Sequence, residues 1–243
     1  MTDWALETEE LSRNFGQLRA VDSINLRIPK GQLYGFLGLN GAGKTTTFKM
    51  LTTLLPPSRG TARIWGHDVV NEAVAVRRLV GLVSDETSES QSDWTAREYL
   101  GYFAGVRGVP NAENAVETSL DSVGLDPHFR GKLIGTYSTG MKRRVEIARA
   151  LMGGPKILFL DEPTRGLDLP AKRETWRLLR ELAEREYVTT FLSSHDAQEI
   201  RTLCAEVSVI ARGRLVFTGA TADIGEDLES FEDRLIELLT VGR

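Results

Sequence analysis

The sequence predicts an α/β fold, a mainly parallel sheet covered by helices, on two observations. In the second half, short apolar runs at 156–160, 188–193 and 206–210 alternate with helical stretches at 171–186 and 197–203. Consecutive strand–helix–strand units produce that alternation, and they need parallel strands. Earlier, the apolar run Leu33-Tyr34-Gly35-Phe36-Leu37 feeds a glycine-rich turn and then a helix, the same order of elements.

Taken in order, strand-like alternation covers 4–8 and 24–28, and Pro29-Lys30-Gly31 reads as a turn before the 33–37 strand. A helix over 45–55 is stopped by Pro56-Pro57. Short strands are expected at 61–65 and 79–83. The polar segment SDETSESQSD, residues 84–93, then carries four acids and no apolar residue. Helical patterns follow at 95–106, 111–123 and 140–152, so that about 86–152 reads as a helical insertion between strand-bearing segments. Gly153-Gly154-Pro155 leads into the 156–160 strand. Near the end, Leu228, Phe231, Leu235 and Leu238 share one helix face. The expected organisation is one domain over 1–220 with a helical extension at 221–243, and no internal repeat.

Composition narrows the function classes. Apolar residues make up 41% and charged residues 26% of the 243, with a net charge of −4. A broad basic face for nucleic acid is therefore not expected, and no nucleic-acid partner is assigned. The single cysteine, Cys204, allows no internal disulfide and points to a reducing compartment. The N-terminus lacks a signal peptide's basic start and apolar core, and no stretch nears the roughly 20 apolar residues of a spanning helix. Any membrane role is expected to pass through a partner chain.

The strongest chemical signal is Gly38-Leu39-Asn40-Gly41-Ala42-Gly43-Lys44-Thr45, followed by Thr46: a GxxxxGK[ST] pattern between a strand and a helix. Its glycines let the backbone wrap closely, so that N–H groups and the helix N-terminus face phosphate oxygens. Lys44 is placed for the β- and γ-phosphates of ATP, and Thr45 for Mg²⁺. Such a site needs a second metal anchor and a group that positions water. ILFLDE supplies both: Asp161 ends a buried strand, and Glu162 follows it to orient or deprotonate water. His195 ends TTFLSSH at the next strand end, where it can offer a hydrogen bond to the γ-phosphate. YSTGM at 137–141 opens a basic helix with Ser138 and Gly140, a second anion-holding turn.

In this order, GLNGAGKT, YSTGM, ILFLDE, GLD and SSH, the chain resembles the nucleotide-binding subunits of ABC transporters over about residues 4–220. The resemblance implies a P-loop NTPase fold: a RecA-like core, an N-terminal antiparallel β-subdomain and an inserted α-helical subdomain. It implies ATP hydrolysis between two cassettes joined head to tail, a homodimer or a homologous heterodimer. Ser138 and Gly140 would then face a γ-phosphate held by the other copy. Integral membrane permease subunits would be the further partners, holding the chain peripherally at the cytoplasmic face of the membrane. Carried over by motif, Phe15 in RNFG stands where an aromatic residue stacks on adenine; a core aromatic is the other reading. Asp168 stands as the aspartate that touches the opposite monomer, and it equally suits the N-cap of the following helix.

One position departs from the family pattern. A glutamine usually follows the strand corresponding to LVGLV; here Asp85 aligns there, with Glu86 beside it. An ionised carboxylate can ligate Mg²⁺ but cannot donate a hydrogen bond. The form YSTGMKRRVEIARAL looks most like ATPase subunits of prokaryotic ABC-2-type exporters. The alternative is a non-transport soluble ABC ATPase of the Fe–S assembly type.

Overall fold

The computed structural model describes residues 4–84, 92–186 and 188–240. The chain opens with β1 (Trp4–Phe15), β2 (Leu18–Ile24) and β3 (Arg27–Pro29), and both β2 and β3 pair antiparallel with β1. The strand expected over 24–28 is thus split. Thr8 Oγ1 inserts at the break: it donates to the Ile24 carbonyl and accepts from the Leu26 N–H, both at 2.9 Å. Next come β4 (Leu33–Leu37), α1 (Lys44–Leu51), β5 (Arg59–Ile64) and β6 (His67–Asp68). β5 pairs antiparallel with β1 and with β6, completing the first sheet.

After α2 (Ala73–Leu79) and β7 (Val80–Val83) stand three helices: α3 (Ala96–Arg107), α4 (Ala112–Ser122) and α5 (Thr139–Leu151). The remainder alternates: β8 (Ile157–Asp161), α6 (Leu169–Glu186), β9 (Thr189–Ser194), α7 (Ala197–Leu203), β10 (Glu206–Ala211), β11 (Arg214–Ala220) and α8 (Leu228–Thr240). Neither α2 nor β11 is anticipated by the pattern. β11 is a half-buried edge strand whose RLVFTGA shows no clean alternation.

The second sheet runs β11-β10-β4-β9-β8-β7, with all neighbours parallel except the β10–β11 hairpin. Its central strands β8 and β9 are buried on both faces, as a covered parallel sheet requires. Alternate residues feed two separate cores. Leu158, Leu160, Leu192, Val207 and Val209 pack with the helices α3 to α8. Ile157, Phe159, Phe191, Phe36 and Tyr34 pack instead with the antiparallel sheet and α1. In that second core Phe48 of α1 lies 4.8 Å from Phe191 and 5.3 Å from Phe159, centroid to centroid. This aromatic cluster seats α1, and therefore Lys44 and Thr45, over the middle of the sheet.

The helical block is tied to the sheet by close approach and by charge. A Cβ on Gly81 of β7 would lie 2.3 Å from the Ala150 carbonyl, so only glycine lets α5 pack there. Arg149 of α5 donates to the Leu82 carbonyl at 2.8 Å, and its Nε to Glu146 at 3.1 Å. The α3 N-terminus carries a full capping box between Thr95 and Glu98.

Candidate nucleotide-binding site

Strand order places the chemistry. β4, β9 and β8 are adjacent, with Leu37 opposite Ser194 and Asp161 opposite Ser193. The three segments that follow these strands therefore emerge side by side at the carboxyl edge, where open α/β sheets take their ligands.

After β4 the chain wraps through residues 38–43 into α1. Gly41 and Gly43 have φ of +79° and +111°, and a Cβ on Gly43 would sit 2.6 Å from the Ala20 carbonyl. The turn between β10 and β11 braces this loop from outside, since Gly213 N donates to the Ala42 carbonyl at 2.9 Å. Asn40 and Gly41 are exposed, whereas Ala42 and Lys44 are buried. The first N–H groups of α1 have no intrahelical partners by construction, and Thr46 lies in that first turn. Lys44 Nζ is held inside the loop, donating to the Gly38 carbonyl at 2.6 Å and the Leu39 carbonyl at 3.3 Å.

Glu162 joins two sequence-predicted groups. Its Oε1 lies 3.0 Å from Lys44 Nζ, off the hydrogen-bond direction, and its Oε2 lies 2.6 Å from His195 Nδ1. The backbone at Glu162 is left-handed, with φ of +52°, a conformation that costs a non-glycine residue about 1–3 kcal/mol. Ser193 over-determines it: Glu162 N donates to the Ser193 carbonyl at 3.1 Å and to Ser193 Oγ at 3.2 Å. Ser193 also donates its hydroxyl to Asp161 Oδ1, and Thr45 donates to Asp161 Oδ2 at 2.8 Å. Ser193, the first residue of SSH, is given no role of its own by that motif; its bonds to Asp161 and Glu162 arise only because β9 lies beside β8.

The donor set fits Mg²⁺. Thr45 and Asp161 offer adjacent hard oxygens, and Mg²⁺ takes one or two protein oxygens with the rest from phosphate and water. Among the described residues no cluster of three His, Cys, Asp or Glu is placed to hold a metal ion. Asp85 lies outside the described residues, next after the segment that follows β7.

The other predicted residues sit around this centre. Phe15, at the end of β1, is 46% exposed, and the Arg13 guanidinium covers its ring at 4.8 Å. Asp168 Oδ1 accepts from Ala171 N at 2.9 Å, so its capping role is realised. Ser138 is the exposed N-cap of α5, accepting from Met141 N at 3.2 Å. Gly140 faces the start of α6: a Cβ there would meet that of Ala171 at 3.2 Å. Among the described residues no hydrogen bond links Ser138 to Lys44, Thr45, Asp161, Glu162 or His195.

Comparison with known proteins agrees with this geometry. Residues 21–165 match the ABC transporter family. The bacitracin transport ATP-binding protein BcrA of Bacillus licheniformis is 40% identical over 87% of this chain and 68% of its own length. The daunorubicin/doxorubicin resistance ATP-binding protein DrrA of Streptomyces peucetius is 39% identical over 93% of this chain and 68% of its own. The structure of cbiO1 from Clostridium perfringens, part of the ABC transporter complex cbiONQ, superposes with a TM-score of 0.86 at 28% identity, covering 99% of this chain and 98% of that one. With its P-loop, its Asp161–Glu162 pair and these relatives, the chain belongs to the ABC transporter family as an ATP-hydrolysing cassette.

Proposed function

We propose that this cassette drives a membrane exporter, with Glu162 as the base that activates water against the γ-phosphate of ATP. The observation that carries the site reading is the Glu162 carboxylate set between Lys44 at 3.0 Å and His195 at 2.6 Å. The buried ammonium balances phosphate charge, the glutamate takes a proton from water, and the imidazole supports the γ-phosphate and orients the base. Thr45 and Asp161 would hold Mg²⁺, which supplies charge neutralisation at the phosphate oxygens. Phe15, exposed at the end of β1, would offer the ring face not covered by Arg13 to the adenine. Asp85 is proposed as a further metal contact.

Ser138 and Gly140 open the α5 helix N-terminus, where Ser138 is exposed; its anion would be one held by a second cassette. Asp168 and the P-loop would meet that copy across a head-to-tail dimer driven by ATP. The DrrA and BcrA resemblance favours an exporter over the Fe–S assembly alternative.

No helix among the described residues is long and apolar enough to cross a membrane. The work would reach the membrane through permease subunits, docked on the cytoplasmic side. A groove of about 820 Å³ between the sheet and the helical block fits this, lined by exposed Leu54, Val74 and Val106 with Arg77 and Arg107. The test is co-purification from detergent-solubilised membranes of the source cell. Recovery with an integral membrane protein is expected, and recovery solely in a soluble complex would overturn the exporter reading.

A further inference from the structure

Behind the catalytic edge lies a third acidic side chain. Glu199, in the first turn of α7, is 1% exposed, a depth at which glutamates are almost never found unpaired. Its carboxylate collects three side-chain donors from three other segments. Thr164 Oγ1 donates to Oε1 at 2.6 Å, Trp176 Nε1 to the same oxygen at 2.9 Å, and Ser194 Oγ to Oε2 at 2.6 Å. Thr164 stands two residues after Glu162, and Ser194 directly precedes His195. Trp176 anchors the group to α6.

The His195 turn is itself folded around this carboxylate. Ser194 Oγ accepts from Asp196 N at 3.0 Å, and Asp196 Oδ1 accepts from Glu199 N at 2.9 Å. Burial pushes the Glu199 carboxyl above its ordinary range, against the pull of its three donors. The carboxylate satisfies three buried donors, so removing it leaves them unpaired and costs stability; a role in catalysis needs a separate reason. Geometry gives one. Glu162 is held in a left-handed backbone conformation that its surroundings must impose.

We propose that Glu199 is a positioning residue that locks the Glu162 turn to the His195 turn, so that Glu162 Oε2 meets His195 Nδ1. It touches no substrate and acts only through the two turns it joins. The inference rests on the reading of Glu162 as the base, and the experiment separates the two.

Glu199→Leu is compared with Glu199→Gln, whose amide oxygen still accepts from Thr164 and Trp176. Leu6→Ala, buried in the opposite core, serves as the stability control. Turnover and KM are read by phosphate release well below each variant's Tm, and affinity by titration with a fluorescent ATP analogue. A misplacement of about 1 Å can cost about 100-fold in rate, so kcat of Glu199→Leu is expected to fall about 10–100-fold while KM and affinity hold within about two-fold. Glu199→Gln recovers part of the rate, and Leu6→Ala loses Tm while keeping kcat. Should Glu199→Leu not fold, Ser194→Ala and Thr164→Val each cut one link and carry the same expectation. Wild-type kcat in the folded Glu199 variant, or an equal loss in Leu6→Ala at matched Tm, overturns the proposal. Glu162→Gln in the same assay distinguishes the causes. If it is inactive while Glu199→Leu is fully active, only the positioning role falls; if it turns over at the wild-type rate, both fall.

Discussion

His195 Nδ1 lies 2.6 Å from Oε2 of Glu162, so the histidine and the glutamate form one hydrogen-bonded unit across adjacent strand ends. The imidazole nitrogen facing the carboxylate is thereby committed, which leaves Nε2 as the nitrogen available to a ligand. A glutamine at position 162 keeps this shape and removes the basicity. Glu162→Gln is expected to lower kcat by about 10²–10⁴-fold while leaving ATP affinity intact, since general-base assistance is worth that much. Phosphate release and nucleotide titration on the same preparation check it, and near wild-type turnover would remove Glu162 from the role.

Lys44, proposed to serve binding, leads to a different expectation. Its ammonium is 5% exposed and braced by the Gly38 and Leu39 carbonyls, an arrangement that aims the charge into the loop. Lys44→Ala should weaken ATP binding itself, by about 10–100-fold if one charge-assisted contact worth about 1.5–3 kcal/mol is lost. Titration with a fluorescent ATP analogue reads this directly. Unchanged affinity with lost turnover would assign Lys44 to the chemical step instead.

Ser138 tests the two-cassette reading. It is exposed, its hydroxyl caps α5, and no bond ties it to the chain's own P-loop among the described residues. An arginine there fits the surface of the isolated chain but fills the space a second cassette's phosphate would need. Ser138→Arg should therefore abolish turnover and spare ATP binding by the monomer. Size exclusion of Glu162→Gln with and without Ser138→Arg at saturating ATP completes the test: the single variant dimerises and the double variant does not.

What was legible in the sequence was whatever is contiguous. The P-loop, the Asp161–Glu162 pair and SSH are short strings, each fixed to one strand end, and parallel strands bring strand ends together. The fold class followed from the same alternation, and the relatives and the sheet order agree with it. What escaped is assembled from distant residues. Glu199 meets Thr164, 35 positions away, and Trp176, 23 away, and neither string marks its partner. Ser193 reads as an ordinary strand residue until β8 stands beside it. The split between β2 and β3 depends on a single Thr8 hydroxyl from another strand. For Asp168 the cap is visible in one chain, and its contact with a second cassette is a proposal that needs two.

The capping box at α3 gives a prediction for the helical block, and its pH sense can be worked out. Glu98 N donates to Thr95 Oγ1 at 3.2 Å, while the Glu98 carboxylate accepts from Thr95 N and from its hydroxyl, both at 2.9 Å. The Thr95 backbone N–H, then the hydroxyl, hold the Glu98 carboxyl below its ordinary value of 4.5. A carboxylate with a lowered folded-state pKa adds stability that is present above the unfolded pKa and lost as pH falls through the folded one. Thr95→Ala removes the cap and should cost about 1 kcal/mol at neutral pH. Glu98→Gln keeps the cap hydroxyl but not the charge, so its deficit should be visible at neutral pH and shrink as the wild type is titrated below pH 4.5. Urea unfolding followed across that range measures both, and a Glu98→Gln deficit that stays constant down through the acid range would show that the carboxylate's charge plays no part in holding α3.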